Sequence, residues 1–205
     1  MLKRFLAGAL SAVFLGGAAS ASIVGVGGAG LVFDTTGLTE VTNATPGSNT
    51  NILGFDERQN VAVTTDLFVD SGVNLNGLTV DSHMIFLNRA TGSSLLDLTA
   101  NFSFAGKILG VMTSRNGELH AASDQILGLA GVTYDTFNNR GFENTQDTVS
   151  FIGTELTTRM YVTQPGDWMR VVTEAAVVPL PAAGWMLLAG VGGLAAMKRR
   201  RKIAS

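Results

Sequence analysis

The unbroken alternation at residues 96–104 constrains the fold of this chain more than any other stretch. Leu96, Leu98, Ala100, Phe102 and Phe104 are interleaved with Asp97, Thr99, Asn101 and Ser103. A helix would scatter the two sets around its circumference, whereas a strand places them on opposite faces. The segment therefore predicts a half-buried strand. Residues 61–69 read the same way, with Val61, Val63, Leu67 and Val69 on one face and Thr64 and Asp66 on the other. Shorter strands are expected at 30–33, 84–88, 107–113, 132–134, 148–152, 156–162 and 168–173. Turn-forming clusters separate them, and Asn116-Gly117 is the strongest two-residue hairpin candidate. Only residues 123–129 suggest a helix, a short one with Ser123 as N-cap. The spacing predicts an all-β fold, an antiparallel β-sandwich, with a jelly roll as one candidate topology.

Both ends of the chain are of a different character. Residues 1–21 carry Lys3-Arg4, an apolar run at 5–15 and the small residues Ala19-Ser20-Ala21. This is the pattern of a secretory signal peptide, with Ala19 and Ala21 forming the cleavage site and Ser22 the expected start of the mature chain. Residues 22–54 are rich in Gly, Thr and Asn and weakly patterned, and are expected to be a loose entry segment with one or two edge strands. Residues 55–174 hold the sandwich, and 175–205 form the tail. Outside the two end segments there are seven Lys and Arg against sixteen Asp and Glu, a charge of about -9 that the total of -2 conceals. Such a surface disfavours nucleic acid as a partner. The absence of cysteine excludes thiolate metal sites and cysteine nucleophiles, and means that the core must stabilise the fold without disulfides.

The tail has three parts in order. Val178-Pro179-Leu180-Pro181-Ala182 comes first. An apolar run from Ala183 to Met197 follows, within an uncharged stretch of 17 residues from Pro181 or 23 from Ala175. The basic cluster Lys198-Arg199-Arg200-Arg201-Lys202 closes it. Seventeen residues span roughly 25 Å as a helix, enough for a short membrane crossing, and the clustered cations should stay cytoplasmic. This order resembles the VPLPA-type variant of the PEP-CTERM sorting signals, with Leu180 where the commoner form has Glu. The resemblance implies an exosortase-type membrane protease as partner and a Gram-negative source. It also implies a transient membrane anchor, with release to the cell surface or extracellular space. The middle of the chain resembles uncharacterised secreted β-sandwich proteins with such tails. The residues that carry that likeness are Gly54-Phe55-Asp56-Glu57, the 109–114 stretch, Ser123-Asp124, Leu127-Gly128, Tyr134, Arg140-Gly141-Phe142-Glu143, Asp147, Pro165-Gly166-Asp167 and Arg170. No functional residue is transferred by it.

Candidate sites in the middle are sparse. Gly25-Val26-Gly27-Gly28-Ala29-Gly30 satisfies G-x-G-x-x-G, but no helix pattern follows, so a flexible N-terminus is expected rather than a dinucleotide site. His83 and His120 are the only histidines and are expected at the surface or an edge. Ser82 adjoins His83, but strand neighbours point to opposite faces, which argues against their pairing. Asp56-Glu57, Asp66 with Asp70, and Glu143 with Asp147 are carboxylate groupings that a glycosidase would also use. The oxygen-rich run 70–77 lacks the spacing of an EF-hand loop, so calcium is kept only as an alternative. Trp168 follows a turn signal and reads as a core or rim aromatic, with an exposed sugar-stacking ring as the competing reading. Arg140, Glu143, Asp147 and Arg170 suggest one structural ion-pair network. The reading is a non-enzymatic structural or adhesive protein without a cofactor. The alternatives are a polysaccharide-binding module, with exopolysaccharide as partner, and an extracellular hydrolase.

Overall fold

The computed structural model describes residues 22–176, apart from Asn43, Ser93, Phe137, Asn144, Gln164 and Pro165. The signal peptide, the sorting motif, the apolar span and the basic cluster lie outside the described residues. Among these residues twelve strands and one helix follow in chain order. They are β1 (Ile23–Gly28), β2 (Gly30–Val32), β3 (Glu40–Val41), β4 (Ile52–Asp56), β5 (Val61–Ala62), β6 (Thr79–Leu87), β7 (Leu96–Phe104), β8 (Ile108–Met112), α1 (Glu118–Leu127), β9 (Thr133–Tyr134), β10 (Thr148–Ile152), β11 (Glu155–Val162) and β12 (Asp167–Glu174). The fold is mostly β, as the alternation predicts. Among the described residues no helix is long and apolar enough to cross a membrane.

A four-stranded sheet has the order β1-β7-β11-β10, and a second sheet the order β2-β4-β6-β12-β8, with β5 added to β6. Their facing sides share one core. Phe102, Phe104, Leu156 and Met160 from the first meet Ile52, Ile85, Met169 and Val171 from the second. Not every pairing is antiparallel: β2 runs parallel to β4 and β3 parallel to β9. In β7 the alternation holds residue by residue, with Ala100, Phe102 and Phe104 buried and Asp97, Thr99 and Asn101 exposed. Strands β6 and β12 are instead buried along almost their whole length. A third layer covers their other face, where Trp168, Phe86 and Phe55 pack with Val41, and Val172 and Val80 pack with Leu127 of α1. Trp168 is fully buried and stacks on Phe86 at 4.3 Å, so it is a core residue.

Several sequence expectations change. The glycine-rich start is the ordered strand β1, with Gly25 and Gly27 opposite Ser103 and Asn101 of β7. Strand β4 straddles the expected boundary at 54/55 and lies inside its sheet. Gly54 interrupts its hydrophobic signal because a side chain there would sit 2.7 Å from both Ile85 and Phe102. Residues 61–69 are strand only at 61–62. Val63, Leu67 and Val69 are buried as expected, but the backbone turns, because Asn74 Oδ1 accepts from Leu67 N–H and the Asn74 and Asn76 amides donate to Asp66. Asn116-Gly117 opens α1 rather than a hairpin, with Gly117 at φ 73°. The helix is longer than expected and begins earlier, so Ser123 sits in its middle instead of capping it. The tight two-residue hairpin is Gly153-Thr154, between β10 and β11.

Gly54→Val should destabilise the chain by about 1–3 kcal/mol, the usual cost of overpacking a filled core. Urea unfolding of the variant beside the parent measures this.

Candidate functional site

Strand β12 is flanked by β6 and β8, and its alternation sends Arg170 to the face covered by α1. Three segments converge on that guanidinium, namely Glu57 just after β4, helix α1 and Tyr134 of β9. Its Nε and Nη2 donate to the two oxygens of Glu57 at 2.7 and 2.8 Å. Nη2 also donates to Asp124 at 2.9 Å, and Nη1 donates to the His120 carbonyl at 3.2 Å and to Ser123 Oγ. These bonds use all five donors that a guanidinium has. Glu57 is equally committed. Its Oε1 also accepts from Tyr134 O–H at 2.7 Å and its Oε2 from Ser82 O–H at 2.6 Å, so each oxygen holds two hydrogen bonds. The Tyr134 ring lies 5.4 Å beneath the guanidinium carbon, and its hydroxyl accepts from Leu129 N–H.

Burial sets the electrostatics. It opposes the Arg170 charge, but Glu57 and then Asp124 more than offset it, so Arg170 is held firmly protonated. Burial, reinforced by Glu57, raises the Tyr134 pKa. It also pushes Asp124 up to about 6, with Arg170 limiting the rise. Burial, aided by the Arg170 charge, drives His120 down to about 3 and keeps its ring neutral.

Adjacent residues feed a second cluster on the opposite face of the same sheet. Asp56 Oδ1 lies 2.7 Å from His83 Nδ1, and His83 Nε2 lies 3.3 Å from Thr173 Oγ1. Ile23 N–H also donates to Asp56. Acid, imidazole and hydroxyl follow in the order of a nucleophilic relay. His83 and Thr173 are nonetheless fully buried between the sheets, beside Phe104, so the hydroxyl faces no open cleft. The sequence dipeptides Asp56-Glu57 and Ser82-His83 thus form two crossed pairs, Asp56 with His83 and Glu57 with Ser82. Strand alternation separates Ser82 from His83 as expected. The histidines themselves are not at the surface: His83 and His120 are both in the interior.

The four residues expected in one ion network are divided among three places. Arg140 pairs with Asp135 at 2.7 Å, while Arg170 pairs with Glu57 and Asp124. Glu143 and Asp147 lie near Asp167, a residue of the second resemblance that the expected network leaves out. Asp167 is buried and bonded to Asp147. Burial, then the charges of Asp147 and Glu143, push its pKa up to about 9. Asp66 and Asp70 do not share a site, because Asp70 binds Thr113 N–H and O–H. Among the described residues no group of three or more acidic or histidine side chains is placed to hold a metal. The surface above the arginine cluster is a shallow cleft of about 360 Å³ lined by Asp124, Gln125, Tyr134, Asp135 and Thr136. A similar one of about 380 Å³ is lined by Phe33, Asp34, Glu40 and neighbouring residues.

No family model, curated protein or solved structure matches the chain. Glu57, Ser123, Asp124, Tyr134 and Arg170 all belong to the segments that suggested the second resemblance, and they meet in the arginine cluster. The sequence signal was their residue types, since buried Arg and Glu require partners.

Arg170→Met should cost about 3–5 kcal/mol, because Glu57 would remain buried without its counter-charge, and the double variant Glu57→Leu, Arg170→Met should cost less than the two single changes summed. Denaturant unfolding of all three variants checks both statements. Asp167 keeps its proton to about 9 when folded but ionises near 3.8 when unfolded, so its burial destabilises progressively as pH rises between those values. Asp167→Asn should therefore raise stability by roughly 2–4 kcal/mol at pH 8 and leave it almost unchanged at pH 4, which thermal melts at the two pH values measure.

Proposed function

We propose that this chain is an exported surface or extracellular-matrix protein, a non-enzymatic structural or adhesive β-sandwich processed through its C-terminal sorting signal. The observation that carries the non-enzymatic part is the saturation of the Arg170–Glu57 pair. Every guanidinium N–H and both carboxylate oxygens are used in holding α1, β9 and the sheet together, which leaves no group there to engage a substrate. The two-sheet body fits the sandwich class, with the jelly roll kept as one topology for it. The export route rests on residues 1–21 and on the ordered Pro motif, apolar span and basic cluster of the tail. On this reading an exosortase-type membrane protease acts near Val178–Ala182, after the helix has held the domain outside the inner membrane of a Gram-negative cell.

One observation favours the second reading, a polysaccharide-binding module. Asp124, Asp135, Thr136 and Gln125 present carboxylates, a hydroxyl and an amide around one open cleft, the group types that recognise sugar hydroxyls. Calcium belongs to that reading only.

Intact mass of the secreted protein tests the processing. The expected form begins near Ser22 and ends near the Pro motif, whereas a secreted form that still contains Trp185 and Arg199 would show a plain anchor. Glycan-array binding tests the rest. The structural reading expects none, and binding abolished by EDTA would replace it with the second.

A further inference from the structure

The four-stranded sheet ends in two edges that carry no further strand. Among the described residues β1 pairs only with β7, with the Ile23 N–H at its start taken by Asp56, and β10 pairs only with β11. Natural edge strands are commonly guarded by charge, proline or a cover. Here β1 reads IVGVGG and β10 reads TVSFI, with neither charge nor proline in either.

The directions of the strands allow the sheet to continue. All three pairings within it are antiparallel. With four strands, β1 and β10 therefore run in opposite directions. A second copy in the same orientation, with its β1 beside β10 of the first, adds another antiparallel pair, and the operation can repeat.

The side-chain rows continue as well. Val26, Phe102, Leu156 and Phe151 are successive partners across the sheet and form one inward-facing row. Phe102 and Leu156 are buried, but the row is cut off at both edges, where Val26 is 43% and Phe151 42% exposed. On the outward face a second row runs from Gly25 at one edge to Ile152 at the other, and Ile152 is 82% exposed. In a continued sheet Phe151 would meet Val26 of the next copy, and Ile152 would lie beside Gly25, which has no side chain to obstruct it. A two-fold pairing of β1 with β1 would instead leave Phe151 and Ile152 uncovered.

We propose that copies of this chain associate edge to edge, β10 of one against β1 of the next, in an open antiparallel series. Such a head-to-tail contact does not close on itself and builds a filament. The proposal rests on strand geometry alone and is independent of the export reading.

The absence of cysteine makes the test clean. Val26 and Phe151 lie three strand spacings apart in one chain, about 14 Å, which is too far for a disulfide. In full-length Val26→Cys, Phe151→Cys protein, a 26–151 disulfide therefore joins two copies. Mild oxidation should give a ladder of covalent multimers at least tenfold faster than in Thr36→Cys, Phe151→Cys protein, since Thr36 is exposed and off the edge. A mixture of the two edge single variants should give 26–151 dimers, and this readout stands even if the double variant folds poorly. Adding Ile152→Lys should suppress the ladder at least tenfold with an unchanged melting temperature. Linkage no faster than in the Thr36 control would overturn the proposal, as would a predominance of 26–26 or 151–151 links.

Discussion

The Arg170–Glu57 pair organises one whole side of this molecule. A guanidinium and a carboxylate taken out of water lose several kcal/mol of hydration each, and their mutual attraction offsets this only with near-complete hydrogen bonding. That requirement explains the surrounding residues. Ser82 and Tyr134 occupy the acceptor sites on Glu57 that Arg170 leaves, while Asp124, Ser123 and the His120 carbonyl take the donors that Glu57 leaves. The helix is thus attached to the sheet through polar bonds as well as through Leu127. His120 is neutral beside this pair, because burial penalises a charged ring and the Arg170 charge adds to that penalty.

The polar and apolar parts of the fold divide cleanly between faces. Between the sheets the core is almost wholly hydrophobic, with His83, Asp56 and Thr173 forming one polar line through it. Beyond the larger sheet, the third layer is built from short pieces of chain that would be too small to stand alone, such as the two-residue strands β3 and β9. The charged cluster and the stacked Trp168 and Phe86 give that layer fixed anchor points.

How much of this was legible depended on how many faces of a strand are buried. Strand β7 has water on one face, so period two shows in its sequence and its limits are readable. In the first half of β6, Asp81, Ser82 and His83 read as polar, yet they are buried, because each serves a distant partner. A sequence displays those side chains without their partners, so the expected strand starts only at 84. Glycine hid β1 and β4 for a related reason: the missing side chain is a packing requirement at Gly54, but it looks like flexibility in a string of letters. At 61–69 the apolar set was right and the conformation wrong, since side-chain hydrogen bonds from Asn74 and Asn76 can hold a turn that buries the same residues a strand would. The arginine cluster could be foreseen only as a need for partners, because its members lie up to 113 residues apart.

The order of the elements gives this chemistry a sequence in time. Strand β12 is the last of the domain, yet it lies between β6 and β8 and carries Asp167, Trp168 and Arg170. Until residues 167–174 are available, β6 and β8 flank a gap and Glu57 has no counter-charge. Closing that gap brings together segments separated by most of the domain, an arrangement with a large loop entropy that folds slowly. A chain that emerges N-terminus first would therefore complete its core only when the segment next to the tail arrives. If the tail then holds the chain at a membrane, as proposed above, the final strand folds while still tethered. The hydrogen bonds from Ala175 to Thr79 and from Ala176 to Asp81 fix the point where the chain leaves the sheet. On that proposal a tether would meet the domain at a strand flanked on both sides and pinned through Arg170. A pull on the tail would have to break two strand pairings and a saturated ion pair before the fold could open.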